Sequence, residues 1–205
     1  GVRPEGRGGE AAPFLHCGAR WHDGCAFGPA GADGPRHHPG GTPGHSPGHI
    51  SLYEPDRKIL LCGDYILPSI TPHISLNPYQ VGTSPLDIYL HALEATRQLE
   101  ADLILPGHQQ PFHNLRARID KIIGHHGRRN SEILNTVTTE EKTAYQIATE
   151  LTWMSDTNGV GWEVLSPLDR RLAVLETLSH LESMRLKGII HKSARDGLLY
   201  YHSAG

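Results

Sequence analysis

Two histidines and an aspartate, each beside glycine at the end of an apolar run, constrain this chain more than anything else in it. The stretch Thr42-Pro-Gly-His45-Ser-Pro-Gly-His49 leads into Ile50-Ser-Leu-Tyr-Glu54 and Ile59-Leu-Leu-Cys62, and Gly63-Asp64 follows. Both runs read as strands, and Pro55-Asp-Arg-Lys58 between them is a turn signal. As a hairpin they place His45 and Asp64 at the same open end, one before the first strand and one after the second. Further on, the short apolar run Asp102-Leu-Ile-Leu-Pro106 ends in Gly107-His108. Imidazole nitrogen and carboxylate oxygen are the usual non-thiolate ligands of a borderline metal such as zinc, and small neighbours let the backbone turn sharply around it. Fifteen histidines in 205 residues tilt the chain the same way.

Each residue also has a plainer reading. His45 and His49 could be polar loop residues beside prolines, and Gly-Asp after a strand is a common turn. Against the second stands the apolar run Ile59–Cys62, because a carboxylate at the end of a buried strand is costly unless paired or metal-bound. Cys62 reads as a core residue, although alternation along a strand would turn it to the face of Asp64.

The surrounding text is a layered α/β pattern. Leu67–Gln80 holds three prolines and no period, so a long loop is expected there. Ser84-Pro85-Leu86-Asp87 opens a helix, with an N-cap serine, proline at the first helical position and an acid three residues after the cap. A second helix is expected from about Asn114 to Val137, with Leu115, Ile119, Ile122, His126, Ile133 and Val137 on one side. His126 then packs between helices, while His113 and His125 face solvent. Beyond Thr138 a small domain begins, with a capping box at Thr138-Thr-Glu-Glu141 and a helix start at Ser166-Pro167-Leu168-Asp169. That last helix would bury Leu172, Leu175, Leu178 and Leu181. Asp196-Gly197 is a two-residue hairpin turn between apolar runs.

At His45, Asp64 and His108 the chain resembles the metallo-β-lactamase-fold hydrolases, in the branch with a C-terminal winged helix, from about Thr42 to the C-terminus. The resemblance implies an α/β fold: a partial αββα sandwich over residues 42–137, representing the C-terminal half of that domain, followed by a winged-helix domain over 138–205. It implies two zinc ions, with His45 on the first, Asp64 bridging both and orienting the catalytic nucleophile, and His108 on the second. His49 would hydrogen-bond the loop that holds His45. His73, in the loop after Asp64, would border the substrate pocket, although a solvated loop histidine is the simpler reading. Substrates implied are small esters, thioesters or phosphodiesters.

The family's His-x-His-x-Asp-His motif is missing from the sequence. Without it each metal keeps two protein ligands, where a catalytic zinc typically has three. Residues 1–41, crowded with Gly, Pro, Ala, Arg and His, read as a disordered or aberrant low-complexity segment. Neither its His16, Cys17, His22 and Cys25 nor Arg36-His37-His38-Pro-Gly-Gly41 has the spacing of a metal motif. Two hypotheses follow. One is a zinc-dependent hydrolase, weak or inactive as this fragment. The other is a non-catalytic binding module acting through the winged helix.

A net charge of −3 and a pI near 6.6 give no electrostatic reason to expect nucleic acid or an anionic membrane as the main partner. No apolar run approaches the ~20 residues of a membrane span, and no signal-peptide layout is seen. Three cysteines argue against a disulfide framework, so a reducing cytoplasm is expected. Half a sandwich would leave Leu52, Ile59, Leu61 and Ile104 partly exposed, favouring a homo-oligomer.

Overall fold

The computed structural model describes residues 38–76, 82–153 and 159–205. Its first sheet has the order β1-β2-β3-β4, built from His38–Gly41, Ile50–Glu54, Ile59–Gly63 and Leu103–Pro106. The β2–β3 hairpin is antiparallel, as the alternating runs and their turn predict, and pairs Leu52 with Leu61. β4 lies parallel to β3, pairing Leu60 with Ile104, and is reached through helix α1, Pro85–Thr96. A parallel neighbour needs such a crossover.

β1 corrects the expectation of an unstructured segment up to residue 41. Its four residues pair antiparallel with β2, from His38 opposite Tyr53 to Gly41 opposite Ile50. A His-Pro-Gly-Gly sequence carries no strand signal, but ladder bonds are made by backbone. At a sheet edge proline's missing N–H is tolerated. The rest of that segment, residues 1–37 with its histidines and cysteines, lies outside the described residues.

Alternation gives the sheet two unlike faces. Tyr53, Leu60, Cys62 and Ile104 pack against Leu86, Tyr89 and Leu93 of α1 and against Leu115, Ile119 and Ile122 of helix α2, Leu115–Thr136. On the other face Ile50 is 61% exposed and Leu61 40% exposed, with Leu52 and Ile59 half-buried. Ile104 is fully buried, contrary to expectation, because its parity turns it to the helices.

α1 starts as the sequence signals, with Ser84 Oγ accepting from the Asp87 N–H at 3.1 Å. α2 keeps its predicted bounds and face, and extends the fold into a second core. Its Ile133 and Val137 pack with α3 (Ala144–Glu150), α4 (Pro167–Leu186) and a second sheet. That sheet has the order β5-β7-β6, from Lys142–Thr143, Leu198–Ser203 and Ile190–Arg195. The cap of α3 is Thr143 with Gln146, not the expected Thr138–Glu141 box. Thr138 Oγ1 instead donates to the Leu134 carbonyl at the end of α2, and the chain passes through β5 before turning helical.

The seam between the two cores is polar. α4 buries Ala173, Thr177, His180, Leu181 and Met184, whereas Leu172, Leu175 and Leu178 are half-buried, so of the row of leucines only Leu181 is fully inside. His180 Nδ1–H donates to Asn130 Oδ1 at 2.7 Å, leaving Nε2 to accept from His126 Nδ1 at 3.2 Å. His126 is buried as predicted. His125 is buried too, against expectation, and its ring meets that of His126 edge-on at 5.3 Å. Arg129, also buried, donates to the Thr152 carbonyl at 2.8 Å and lies over the Trp153 ring at 4.4 Å. No described helix is long and apolar enough to cross a membrane.

Burial and then the neighbouring His126 push the His180 imidazole down to about 3 from its ordinary 6.5. The folded state thus holds it neutral while the unfolded chain takes up a proton as pH falls below 6.5. Stability is therefore lost progressively between about pH 6.5 and 3, by up to on the order of 2 kcal/mol at pH 5 from this residue. Urea unfolding should show the loss between pH 7 and 5, and His180→Gln should diminish it.

Candidate metal centre

Asp64 follows the last residue of β3, and His108 lies two residues beyond the end of β4. These strands are parallel neighbours, so the residues after them emerge at the same edge of the sheet. The Gly107 N–H donates to the Gly63 carbonyl at 2.8 Å and closes the two turns on each other. A Cβ on residue 107 would stand 2.8 Å from Asp64 Oδ1, so glycine is needed for this approach. His108 Nδ1 then donates to Asp64 Oδ1 at 2.5 Å, while His45 Nε2 lies 3.9 Å from Asp64 Oδ2. The three residues singled out from the sequence thus meet at Asp64, with one carboxylate oxygen toward each histidine. His108 is the most open, with 73% of its side chain exposed, against 28% for Asp64.

The turn carrying His45 is fastened from below. The Thr42 N–H donates to the His49 carbonyl at 2.9 Å, and Thr42 Oγ1 shares hydrogen bonds with His49 Nδ1 at 2.8 Å and Ser51 Oγ at 2.9 Å. His49 therefore bonds the start of the loop that carries His45. Burial, followed by the charge of His45, lowers the His49 pKa, and Asp64 opposes them. The Tyr65 ring stacks on His49 at 5.9 Å and meets Tyr89 edge-on at 5.4 Å. Tyr89 donates from its hydroxyl to the Tyr65 carbonyl at 3.0 Å. The sequence marks Tyr89 only as part of the apolar face of α1 and gives Tyr65 no role, although Gly44 carried the signal of a close approach. Gly44 has φ +145°, and a Cβ there would lie 2.4 Å from Tyr89 Cδ2.

Two other expectations change. Cys62 does not share the face of Asp64, because the register shifts between Leu61 and Gly63 and breaks the alternation. Its thiol is buried in the core, donates to the Ile66 carbonyl at 3.2 Å, and is pushed up to about 12 by burial. His73 turns its ring inward rather than toward a substrate. Its Nδ1 lies 3.5 Å from Glu176 Oε2 of α4 and its Nε2 bonds Ser75 Oγ at 2.5 Å, so both nitrogens are engaged within the protein. His113, exposed as expected, bonds the Asp102 carbonyl.

The donors are right in kind for a zinc-like ion: two imidazoles and a carboxylate. They are short in number. Among the described residues no group of three or more His, Cys, Asp or Glu side chains forms a cage for a metal ion. Asp64 could offer one oxygen on the side of each histidine.

The sheet is backed by two helices and carries Asp64 and His108 just beyond the ends of two adjacent strands. The family model for the metallo-beta-lactamase superfamily matches residues 25–108. Its start lies upstream of Thr42, the position at which the resemblance in the sequence begins. The chain is 23% identical over 162 residues to the "Probable metallo-hydrolase YqjP" of Bacillus subtilis (78% of this chain, 48% of that protein). It is 28% identical over 158 residues to the "Beta-lactamase-like protein 2 homolog" of Caenorhabditis elegans (77% of this chain, 44% of that protein). Its fold is similar to that of a beta-lactamase domain protein from Burkholderia ambifaria, with TM-score 0.72 and 27% identity over 88% of this chain and 51% of that one. A metallo-beta-lactamase family protein from Thermus thermophilus gives TM-score 0.67 and 28% identity, over 82% and 50%. Residues 25–108 thus resemble the metallo-beta-lactamase superfamily, and the chain spans about half the length of the curated relatives it matches.

The turn at Gly44 gives a sharp comparison. Gly44→Ala must both hold a left-handed backbone and push Tyr89 aside, and is expected to cost about 1–3 kcal/mol. Gly48→Ala, with nothing within 4 Å of its Cβ, should be nearly neutral. Urea denaturation of the two variants checks the difference.

Proposed function

We propose that this chain is part of a zinc-dependent hydrolase and supplies three of its metal ligands, His45, Asp64 and His108, for cleavage of an ester, thioester or phosphodiester. The observation that carries this reading is the position of Asp64 between the two histidines. The 3.9 Å between His45 Nε2 and Asp64 Oδ2 is too long for a hydrogen bond. It suits two donors facing one cation, whose bonds are about 2.0–2.2 Å each. When bound, zinc supplies Lewis acidity and lowers the pKa of water toward 7. The chain's own part is to hold the carboxylate at the sheet edge, set an imidazole on either side of it, and keep His49 behind the His45 turn. Asp64 would orient an attacking water.

With only these donors the isolated chain should bind zinc weakly and turn over slowly or not at all. Calorimetry with zinc chloride should show weak binding that His108→Ala and Asp64→Asn each abolish. Assays with a thioester, a phosphodiester and a β-lactam reporter at saturating zinc should show little turnover. Robust hydrolysis that a chelator stops would show that the remaining donors lie within this chain. Zinc binding that survives both substitutions would sink the ligand assignment.

The C-terminal unit is proposed as a winged helix that packs rather than reads nucleic acid. Most of its basic side chains are paired: Lys187 with Asp87 at 2.6 Å, Arg185 and Lys192 with Glu182 at 2.5 and 3.4 Å, Lys142 with Glu150 at 2.9 Å, Arg195 with Glu141 at 3.5 Å, and Arg170 with Glu163 at 3.9 Å. Such pairs leave little uncompensated positive field for phosphates. We further propose a cytoplasmic setting, and self-association of the isolated chain through the open sheet face around Ile50 and Leu61. Light scattering should show the association, and Leu61→Lys should reduce it.

A further inference from the structure

His45 is held by a contact that traces back to the C-terminal helix α4. Its Nδ1 faces the His73 carbonyl at 3.4 Å. A carbonyl can only accept, so this contact selects the imidazole with its proton on Nδ1, and Nε2, the nitrogen toward Asp64, keeps its lone pair. The loop that presents the carbonyl has no regular structure between Leu67 and Leu76 and is pinned from outside. Arg118 of α2 donates to the Leu67 and Ile70 carbonyls at 2.5 and 2.8 Å. Ile74 is buried in the first core. His73, between these anchors and His45, is clasped by Glu176 of α4 and by Ser75.

We infer that Glu176 is a positioning residue for His45: by holding the His73 ring it sets the His73 carbonyl, which fixes the orientation and tautomer of the His45 imidazole. The inference rests on the reading of His45 as a ligand and extends it, because it makes a ligand at the sheet edge depend on a helix of the second core. A partner on the far nitrogen of a metal-ligating histidine commonly sets its orientation and affinity. Glu176 is suited to the task, with only 17% of its side chain exposed. Burial raises its pKa, but the hydrogen bond from His73 and the charges around it, Arg129 among them, outweigh burial and hold the carboxyl down to about 2. With Glu176 ionised, His73 Nδ1–H donates to it and Nε2 accepts from Ser75 Oγ–H, which leaves the ring one orientation.

The experiment is long-range proton–nitrogen NMR on the full chain with 15N-labelled histidine, without added metal. Wild-type His45 is expected in the Nδ1–H form. Glu176→Ala and His73→Ala should each move it toward the Nε2–H form. Glu176→Gln, which keeps an acceptor, should largely restore the wild-type spectrum. In a zinc chloride titration, Glu176→Ala should weaken binding about tenfold. A wild-type His45 protonated on Nε2, or a tautomer unchanged in both alanine variants, would overturn the inference. His73→Ala lies on a loop, so it decides the matter even if removing Glu176 disturbs folding. Zinc that leaves the His45 resonances of the wild type unmoved would instead refute the ligand reading, with the tautomer result still standing.

Discussion

The parallel pairing of β3 with β4 is the constraint on which the rest of the site depends. Parallel strands send their following residues out at the same edge, so Asp64 and His108, 44 positions apart, become neighbours without any contact of their own having to bring them there. The helix α1 required to make that crossover does a second task. Its Tyr89 rises under Gly44 and meets Tyr65, which in turn stacks on His49. One topological choice thus places two of the candidate ligands and supports the turn of the third. Antiparallel pairing of the same strands would put His108 at the opposite edge from Asp64.

Much of this was legible because it is encoded locally. The β2–β3 hairpin follows from two strand-like runs and a proline turn, and α1 and α4 begin at Ser-Pro-x-Asp signals. α2 shows a clean 3.6-residue period in its buried side chains. What was not legible depends on long-range partners. β1 is a strand because β2 offers an edge, and nothing in His-Pro-Gly-Gly announces it. His125 is buried with its ring edge-on to that of His126, whereas composition alone puts a helical histidine in solvent. α4 shows the same failure most plainly. Of its row of leucines only Leu181 is fully buried, and the rest of the inner face carries Thr177 and His180.

At the candidate site the residue types were legible and their couplings were not. Asp64 and His108 stand out because each follows an apolar run and a glycine, and His45 because it ends Thr-Pro-Gly-His. His73 stands out only as a histidine in the right loop, and its role is decided by Glu176, about a hundred residues later in the chain. No period, cap or turn signal links two such positions. The contact exists because α4 packs across α1 and α2, a geometry fixed in part by Asp87, which accepts from Ser183 at 2.9 Å and from Lys187 at 2.6 Å.

That polar seam bears on how the two cores communicate. From the sheet edge inward, the rings of His49, Tyr65, Tyr89, His126 and His180 follow one another at centroid spacings of 5.9, 5.4, 5.9 and 5.2 Å. Apolar side chains along the same path would bury comparable area but would tolerate α4 sliding by a turn. Hydrogen bonds between His126, His180 and Asn130 do not, because a slipped helix would leave buried nitrogens without partners at a cost of roughly 1–3 kcal/mol each. The seam therefore contributes register more than stability. Register is what the site requires, since Glu176 lies one helical turn before His180 on α4 and reaches His73 only when that helix is in place. The placement of an imidazole at the sheet edge is in this way tied to the packing of the second core.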